Sequence, residues 1–192
     1  MPGKDTLLKR RYRQVHIFDS KSQSDVGVLV DALAFGMVKA EPIVPQPWTI
    51  HCDGSAVPNP GRMGLGAVLV APDGTRHGFS VATDARGCNN EAEARALMLA
   101  LREAQARGAT VLQIYSDSSL LVAQLGVSGA PPVLRLAELY EELAGVLATF
   151  APVTVNWIPR HRNAEADALA RAAVGLAPKQ PMKPKKKNRR RR

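Results

Sequence analysis

The chain has 192 residues, 45% of them apolar, and a formal net charge of +9, which suits one ordinary domain with a real core plus extensions. No apolar run approaches the ~20 residues of a membrane helix, and no apolar stretch directly follows the charged start MPGKDTLLKRRYR as a signal peptide would require. The two cysteines, Cys52 and Cys88, give no disulfide framework or zinc site, so a reducing cytoplasmic setting without membrane contact is expected.

At the N-terminus, Thr6 to Ile17 is basic and suits a short amphipathic helix. Ser24 to Phe35 (SDVGVLVDALAF) carries apolar residues at helical spacing after a Ser/Asp start. Residues 1–40 therefore read as an N-terminal helical extension. Residues 41–47 hold three prolines and form a stiff Pro-rich linker. Met37 stands just before it, and a start codon misplaced upstream is the plain alternative for everything that precedes it.

From Trp48 the pattern is cleaner. WTIHCD (48–53) predicts a strand that ends on Asp53. LGAVLVAP (65–72) and TRHGFSVAT (75–83) predict two more, joined by a Pro72-Asp73-Gly74 hairpin turn. Asn89 to Arg107 is a helix with Asn89 or Asn90 as its cap; alanines and leucines form its apolar face and Gly108 stops it. VLQIYS (111–116) is a fourth strand. A short helix follows over 118–126, and another opens at Pro131-Pro132 and reaches about Ala148. VTVNWIP (153–159) is a fifth strand, and Asn163 caps a last helix, AEADALARAAVGL. The order βββαβααβα argues an α/β fold: a five-stranded mixed sheet with helices on both faces.

Residues 179–192 carry nine Lys/Arg and no acid, so the rest of the chain holds 17 basic and 17 acidic groups and is neutral. Within it, residues 48–178 hold ten basic and twelve acidic groups. The basicity is thus a tail, 178–192. Self-repulsion keeps such a tail disordered, and its natural partner is a polyanion, most simply the phosphates of a nucleic acid. Nuclear-import-like targeting and simple solubilisation are the bland alternatives.

The acids in this plan fall at mechanically stiff places. Asp53 and Asp117 each follow a predicted strand, and if those strands are parallel neighbours both carboxylates lie at one sheet edge, where ligands sit in open α/β sheets. Glu93 and Asp167 each lie in the first turn of a helix. Any one of these has a dull explanation: a turn initiator for Asp53, a favourable helix-dipole charge for Glu93 and Asp167. Four together point to a cluster that only cations could neutralise. Oxygen ligands suit Mg²⁺ or Mn²⁺. Two such ions about 3.5–4 Å apart serve in-line phosphodiester cleavage.

The stretches DGSAVPNPGRMGLGAVLVAPDG, CNNEAEARALMLAL, IYSDSSLLVAQL and WIPRHRNAEADALARAA resemble the four signature blocks of type 1 ribonuclease H, in the family's order. The resemblance covers residues 48–176, about two-thirds of the chain, and is nearest to the bacterial and archaeal branch that includes reverse-transcriptase-like ribonuclease H proteins. It implies a ribonuclease H-like fold over 48–177 and an endoribonuclease that cuts the RNA strand of RNA–DNA hybrids, leaving 3′-hydroxyl and 5′-phosphate ends. It carries the catalytic and metal-binding roles onto Asp53, Glu93, Asp117 and Asp167. It also implies hybrid contacts at Gly54, Ser55, Ala56, Asn59 and Asn90, where short groups on a tight backbone meet 2′-hydroxyls in a shallow minor groove. Cys88 falls where the family often has a small polar residue near a DNA phosphate. Glu91 receives no role, and His51 is read as structural.

Two departures stand out. Many type 1 enzymes carry a basic helical protrusion between the third and fourth acids. Here residues 118–152 hold one basic group, Arg135, so hybrid affinity has to come from elsewhere, with the tail as the obvious source. The family's loop histidine often precedes the last acid by about ten residues, whereas His161 precedes Asp167 by six. His161 is therefore either a catalytic substitute or a solvated loop residue. Arg160 and Arg162 beside it read as phosphate contacts. The expected enzyme is a monomer. A nuclease-like fold that only binds nucleic acid is the alternative function, and a resolvase or transposase of the same broad fold is a third; the NPG turn and the NNEAE helix start favour ribonuclease H.

Overall fold

The computed structural model describes residues 45–126 and 131–178. The expected N-terminal helices, most of the linker and the basic tail lie outside the described residues. Five strands form one sheet: β1 (Trp48–Val57), β2 (Gly61–Val70), β3 (Arg76–Gly87), β4 (Leu112–Ser116) and β5 (Val153–Trp157). Their spatial order is β3-β2-β1-β4-β5, so β1 is central. It runs antiparallel to β2 and parallel to β4, and β4 runs parallel to β5. The α-helices among the described residues are α1 (Asn89–Ala106), α2 (Ser119–Leu125), α3 (Ala137–Leu147) and α4 (Ala164–Ala173). The mixed α/β architecture expected from the sequence is the one observed.

The first three strands are longer than the apolar pattern predicts. β1 does not end on Asp53; it continues through Gly54, Ser55 and Ala56 to Val57, with Asp53 paired opposite Gly66. Glycine and serine are poor strand formers, but here packing overrides propensity. A Cβ on Gly54 would stand 2.1 Å from the Glu93 nitrogen and 2.2 Å from the Ala92 carbonyl carbon. α1 therefore rests directly on the β1 backbone. On the opposite face, Gly64 and Gly66 of β2 would meet the carbonyl oxygens of Ala170 and Ala166 at 2.2 Å, so α4 is seated on backbone as well.

The core lies between the sheet and α1, where Leu97, Leu101 and Ile50 are fully buried, and it continues through Tyr140 and Leu143 of α3. Each such side chain contributes about 1.5–3 kcal/mol by leaving water. Pro131, Pro132 and Val133 stay outside any helix, contrary to the sequence reading. Gln124 holds them extended: its amide nitrogen donates to the Pro131 carbonyl at 2.8 Å and its oxygen accepts from the Val133 amide at 3.2 Å. A 3₁₀ turn, Leu134–Leu136, then leads into α3. α4 ends at Ala173, before the predicted limit, because Gly175 takes a left-handed φ of 76° and Leu176 returns its amide to the Arg171 carbonyl at 2.9 Å.

Gly54→Ala is expected to lose at least about 1–3 kcal/mol of stability, because the new methyl must push α1 away from β1. Chemical denaturation measures this; a loss below about 0.5 kcal/mol would show that the helix can yield there.

Candidate active site

Strand length builds the site. Pairing between β1 and β4 stops at His51–Tyr115, and β4 itself stops at Ser116, while β1 runs on to Val57. Continuing the register by two residues sets Asp53 level with Asp117, which follows β4 directly. Past that level β1 has no neighbour on its β4 side, so groups from both faces of the sheet can meet there. Glu93 arrives from the first turns of α1, fixed by the close approach at Gly54. Asp167 arrives from the first turn of α4, fixed by the seat on Gly64 and Gly66.

The charges of the four acids act on one another. The Asp53 carboxyl is 6% exposed, and its pKa is pushed up to about 7 by burial first and then by the charges of Asp117, Asp167 and Glu93. Burial raises the Glu93 pKa as well, against the lowering effect of a hydrogen bond from the Ser118 hydroxyl. Arg160, on the 3₁₀ turn Arg160–Arg162, donates to Asp167 Oδ1 at 2.9 Å, and Arg171 approaches Asp167 Oδ2 at 3.9 Å. Asp117 Oδ1 accepts from the Asn163 side-chain amide at 2.6 Å, and the Asp117 carbonyl accepts from the Trp157 indole at 3.2 Å.

The remaining predicted residues fall around this cluster. Gly54 is buried under α1, so its smallness has a packing reason of its own. Ser55 is half-buried on β1. Asn59, in the exposed turn after β1, accepts from the Asn89 amide at 3.1 Å, and Asn89 Oδ1 accepts from the Ala56 amide at 2.8 Å. The turn and the start of α1 are thereby tied together. Neither Asn89 nor Asn90 is the helix cap: that position belongs to Cys88, which makes no side-chain cap bond, while the Asn89 side chain serves the turn. Cys88 accepts from Arg135 at 3.1 Å. Asn90 is half-buried in the first turn of α1, and His161 is exposed on the 3₁₀ turn. Arg162 lines a cleft of about 110 Å³ with His51, Arg76, Asn163, Glu165 and Ala166. His51 stacks on Tyr115 at 5.2 Å, and Glu91 pairs with Arg95 at 2.9 Å, away from the acids.

Sequence reasoning missed Ser118 and Trp157, and it gave Asn163 only a cap. Ser118 was legible as the cap of α2, whose hydroxyl accepts from Leu121 at 3.2 Å, but nothing in the spacing pointed it at Glu93. As placed, no group of three or more His, Cys, Asp or Glu side chains among the described residues is arranged to hold a metal ion. The donor chemistry nevertheless fits one. Four carboxylates, no thiolate and a carboxyl pushed up to about 7 make a set whose repulsion a hard divalent cation would relieve.

A family model described as reverse transcriptase-like matches residues 51–173. The bifunctional protein Rv2228c of Mycobacterium tuberculosis is 35% identical over 129 residues, 67% of this chain and 35% of that protein, so the chain spans about a third of that relative's length. The solved N-terminal RNase H domain of Rv2228c superposes with a TM-score of 0.62 at 34% identity, covering 67% of this chain and 98% of that one. The ribonuclease H of Cupriavidus pinatubonensis is 36% identical over 142 residues, 65% of this chain and 93% of its own. LC11-RNase H1, solved in complex with an RNA/DNA hybrid, gives a TM-score of 0.56 at 30% identity, covering 66% of this chain and 96% of that one.

The raised Asp53 pKa sets a pH dependence for the metal-free protein. Between about pH 4, where an unfolded aspartate titrates, and about 7, the folded state holds a proton that the unfolded state has lost. Stability therefore falls as pH rises through this window, by as much as about 4 kcal/mol, and levels off above it. Denaturation in chelator from pH 4 to 8 measures the slope, and Asp53→Asn should flatten it. An unchanged slope in that variant would assign the dependence to another group.

Proposed function

The chain belongs to the reverse-transcriptase-like, type 1 ribonuclease H family, and on that premise we propose that it is an endoribonuclease cutting the RNA strand of RNA–DNA hybrids, with 3′-hydroxyl and 5′-phosphate products. One observation carries this reading: Asp53, Glu93, Asp117 and Asp167 come from four separate elements, and the charges of the other three all act on buried Asp53. Clustered like charges oppose folding, so their convergence calls for a function.

In this proposal the four carboxylates would hold two Mg²⁺ or Mn²⁺ ions. Bound there, the cations supply Lewis-acid chemistry: activation of a water and stabilisation of the leaving oxygen. The protein's own groups do the rest. Asn59, Asn90, Ser55 and the backbone at Gly54 meet the sugar edges of the hybrid in its minor groove. Arg160 and Arg162 meet phosphates, with Arg160 exchanging its bond to Asp167 for one to the substrate. His161 offers an exposed imidazole, close along the chain to Asp167, for proton transfer at the reacting water. The catalytic unit is assigned to residues 48–177, acting as a monomer, with 1–40 an appendage and 41–47 a linker.

Asp53→Asn and Asp117→Asn are expected to abolish hybrid cleavage while leaving the protein folded. Labelled RNA–DNA hybrid, RNA duplex and single-stranded RNA, each with Mg²⁺, Mn²⁺ or chelator, form the assay. Cleavage by the wild type confined to hybrid plus metal is the expected pattern. Either variant keeping a tenth or more of the wild-type rate would remove that residue from the chemistry.

The basic tail is proposed to supply much of the affinity for hybrid, since residues 48–178 hold twelve acids against ten bases. With roughly four to six charges near phosphates at once, the log–log salt slope should be about −3 to −5. Removing residues 179–192 should raise KM, flatten the slope and leave kcat nearly unchanged, as loss of uniform binding does. An unchanged KM at low salt would assign the tail to targeting or to a protein partner.

A further inference from the structure

Asn163 stands at the position before α4, where an asparagine ordinarily turns its side-chain oxygen onto the amides of its own helix. It makes no such bond; only its backbone carbonyl serves the helix, accepting the first helical bond from the Asp167 amide at 3.0 Å. The side chain points away from the helix and into the acid cluster. Its Nδ2 donates to the Cys52 carbonyl at 2.9 Å and to Asp117 Oδ1 at 2.6 Å. A carbonyl oxygen is an acceptor only, so chemistry alone puts the nitrogen, not the oxygen, on this side. Asn163 is 1% exposed, and its Oδ1 is buried with no hydrogen-bond partner. Leaving that oxygen unmatched costs about 1–3 kcal/mol. A residue kept merely to cap a helix would not be held in the orientation that strands its own acceptor.

The place it fills is the gap left by the short β4. Cys52 lies one residue beyond the last β1–β4 pair, His51–Tyr115, and its carbonyl is satisfied by the Asn163 amide. The same nitrogen holds Asp117, and the same helix carries Asp167 one turn further on. One side chain thus links the strand of Asp53, the carboxylate of Asp117 and the helix of Asp167.

We propose that Asn163 is a positioning residue for the nuclease reaction: by clamping one oxygen of Asp117 to the open edge of β1 at Cys52, it sets the orientation of Asp117 toward the divalent cations. This rests on the nuclease reading above. It makes two demands that a purely structural role does not: cation affinity and kcat should change together, and KM for hybrid should stay put.

Asn163→Ala removes the amide, and Asn163→Asp keeps its shape while replacing the donor by an oxygen. For each, Mn²⁺ affinity of the folded, substrate-free protein is measured by calorimetry, melting temperature is measured in chelator, and kcat and KM are measured on hybrid. The expected result is about 10–100-fold weaker Mn²⁺ binding and a comparable loss of kcat, as for other partners that orient metal ligands, with KM within about twofold. Mn²⁺ affinity and kcat both within about twofold of wild type, whatever happens to the melting temperature, would overturn the proposal. If neither variant folds, the wild type decides. The Asn163 side-chain amide resonances should exchange slowly with solvent and shift when Mg²⁺ is added, and resonances unmoved by saturating Mg²⁺ would overturn the assignment. A wild type that binds Mn²⁺ yet leaves hybrid intact would overturn the proposed activity alone, since the affinity and resonance measurements need no cleavage.

Discussion

Everything in this site depends on two neighbouring strands having unequal lengths. β4 has five residues, and its pairing with β1 ends at His51–Tyr115; β1 has ten residues and continues for six more, paired only to β2. A strand flanked on both sides would be closed off by its ladder. Here the shorter neighbour exposes one edge of a central strand in the interior of the domain. Through that opening a helix from each face can bring a carboxylate to Asp53. The parallel β1–β4 arrangement then sets the last acid of the group, because a chain leaving β4 at Ser116 delivers Asp117 at the level of Asp53.

Assembling like charges in a buried place works against folding, and the surroundings show how the conflict is contained. A donor reaches each carboxylate: the Gly54 backbone amide to Asp53, Ser118 to Glu93, Asn163 to Asp117 and Arg160 to Asp167. Asp53 takes the brunt, and its pKa is pushed up to about 7. The donors also act as spacers, since each holds an oxygen that would otherwise turn toward its neighbours. Arg160 is the most exposed of them and the easiest to exchange, whereas Asn163 is sealed in.

Much of the fold was legible because the sequence is locally consistent. Apolar runs between turn residues marked the cores of the strands, the alanine and leucine spacing marked α1, and Gly108 marked its stop. The placement of Asp53 and Asp117 at one sheet edge was legible because β1 and β4 are parallel neighbours. What failed has a common cause. Gly54, Ser55, Gly61 and Gly64 look like turn or loop residues, and only tertiary packing makes them strand. Local propensity carries no trace of a helix backbone 2.2 Å from where a Cβ would be. Asp53 was consequently read as a strand end. Asn163 was read as a cap for the same reason: its position in the chain matches a cap, and only the fold brings Cys52 and Asp117 within reach of its amide, over sequence separations of 111 and 46 residues. Gln124, which keeps Pro131 to Val133 out of α3, lies in the preceding helix, beyond the reach of a helix-start rule.

The seating of α4 on Gly64 and Gly66 carries a further consequence, for engineering. Backbone resting on backbone has no rotamers to adjust, so the height of this helix above the sheet is fixed as by a machined stop. Enlarging or trimming leucines between α1 and α3 would alter the thermal endurance of the domain without lifting Asp167. A designer seeking a hardier variant therefore has a free hand in that layer, and none along the glycine track.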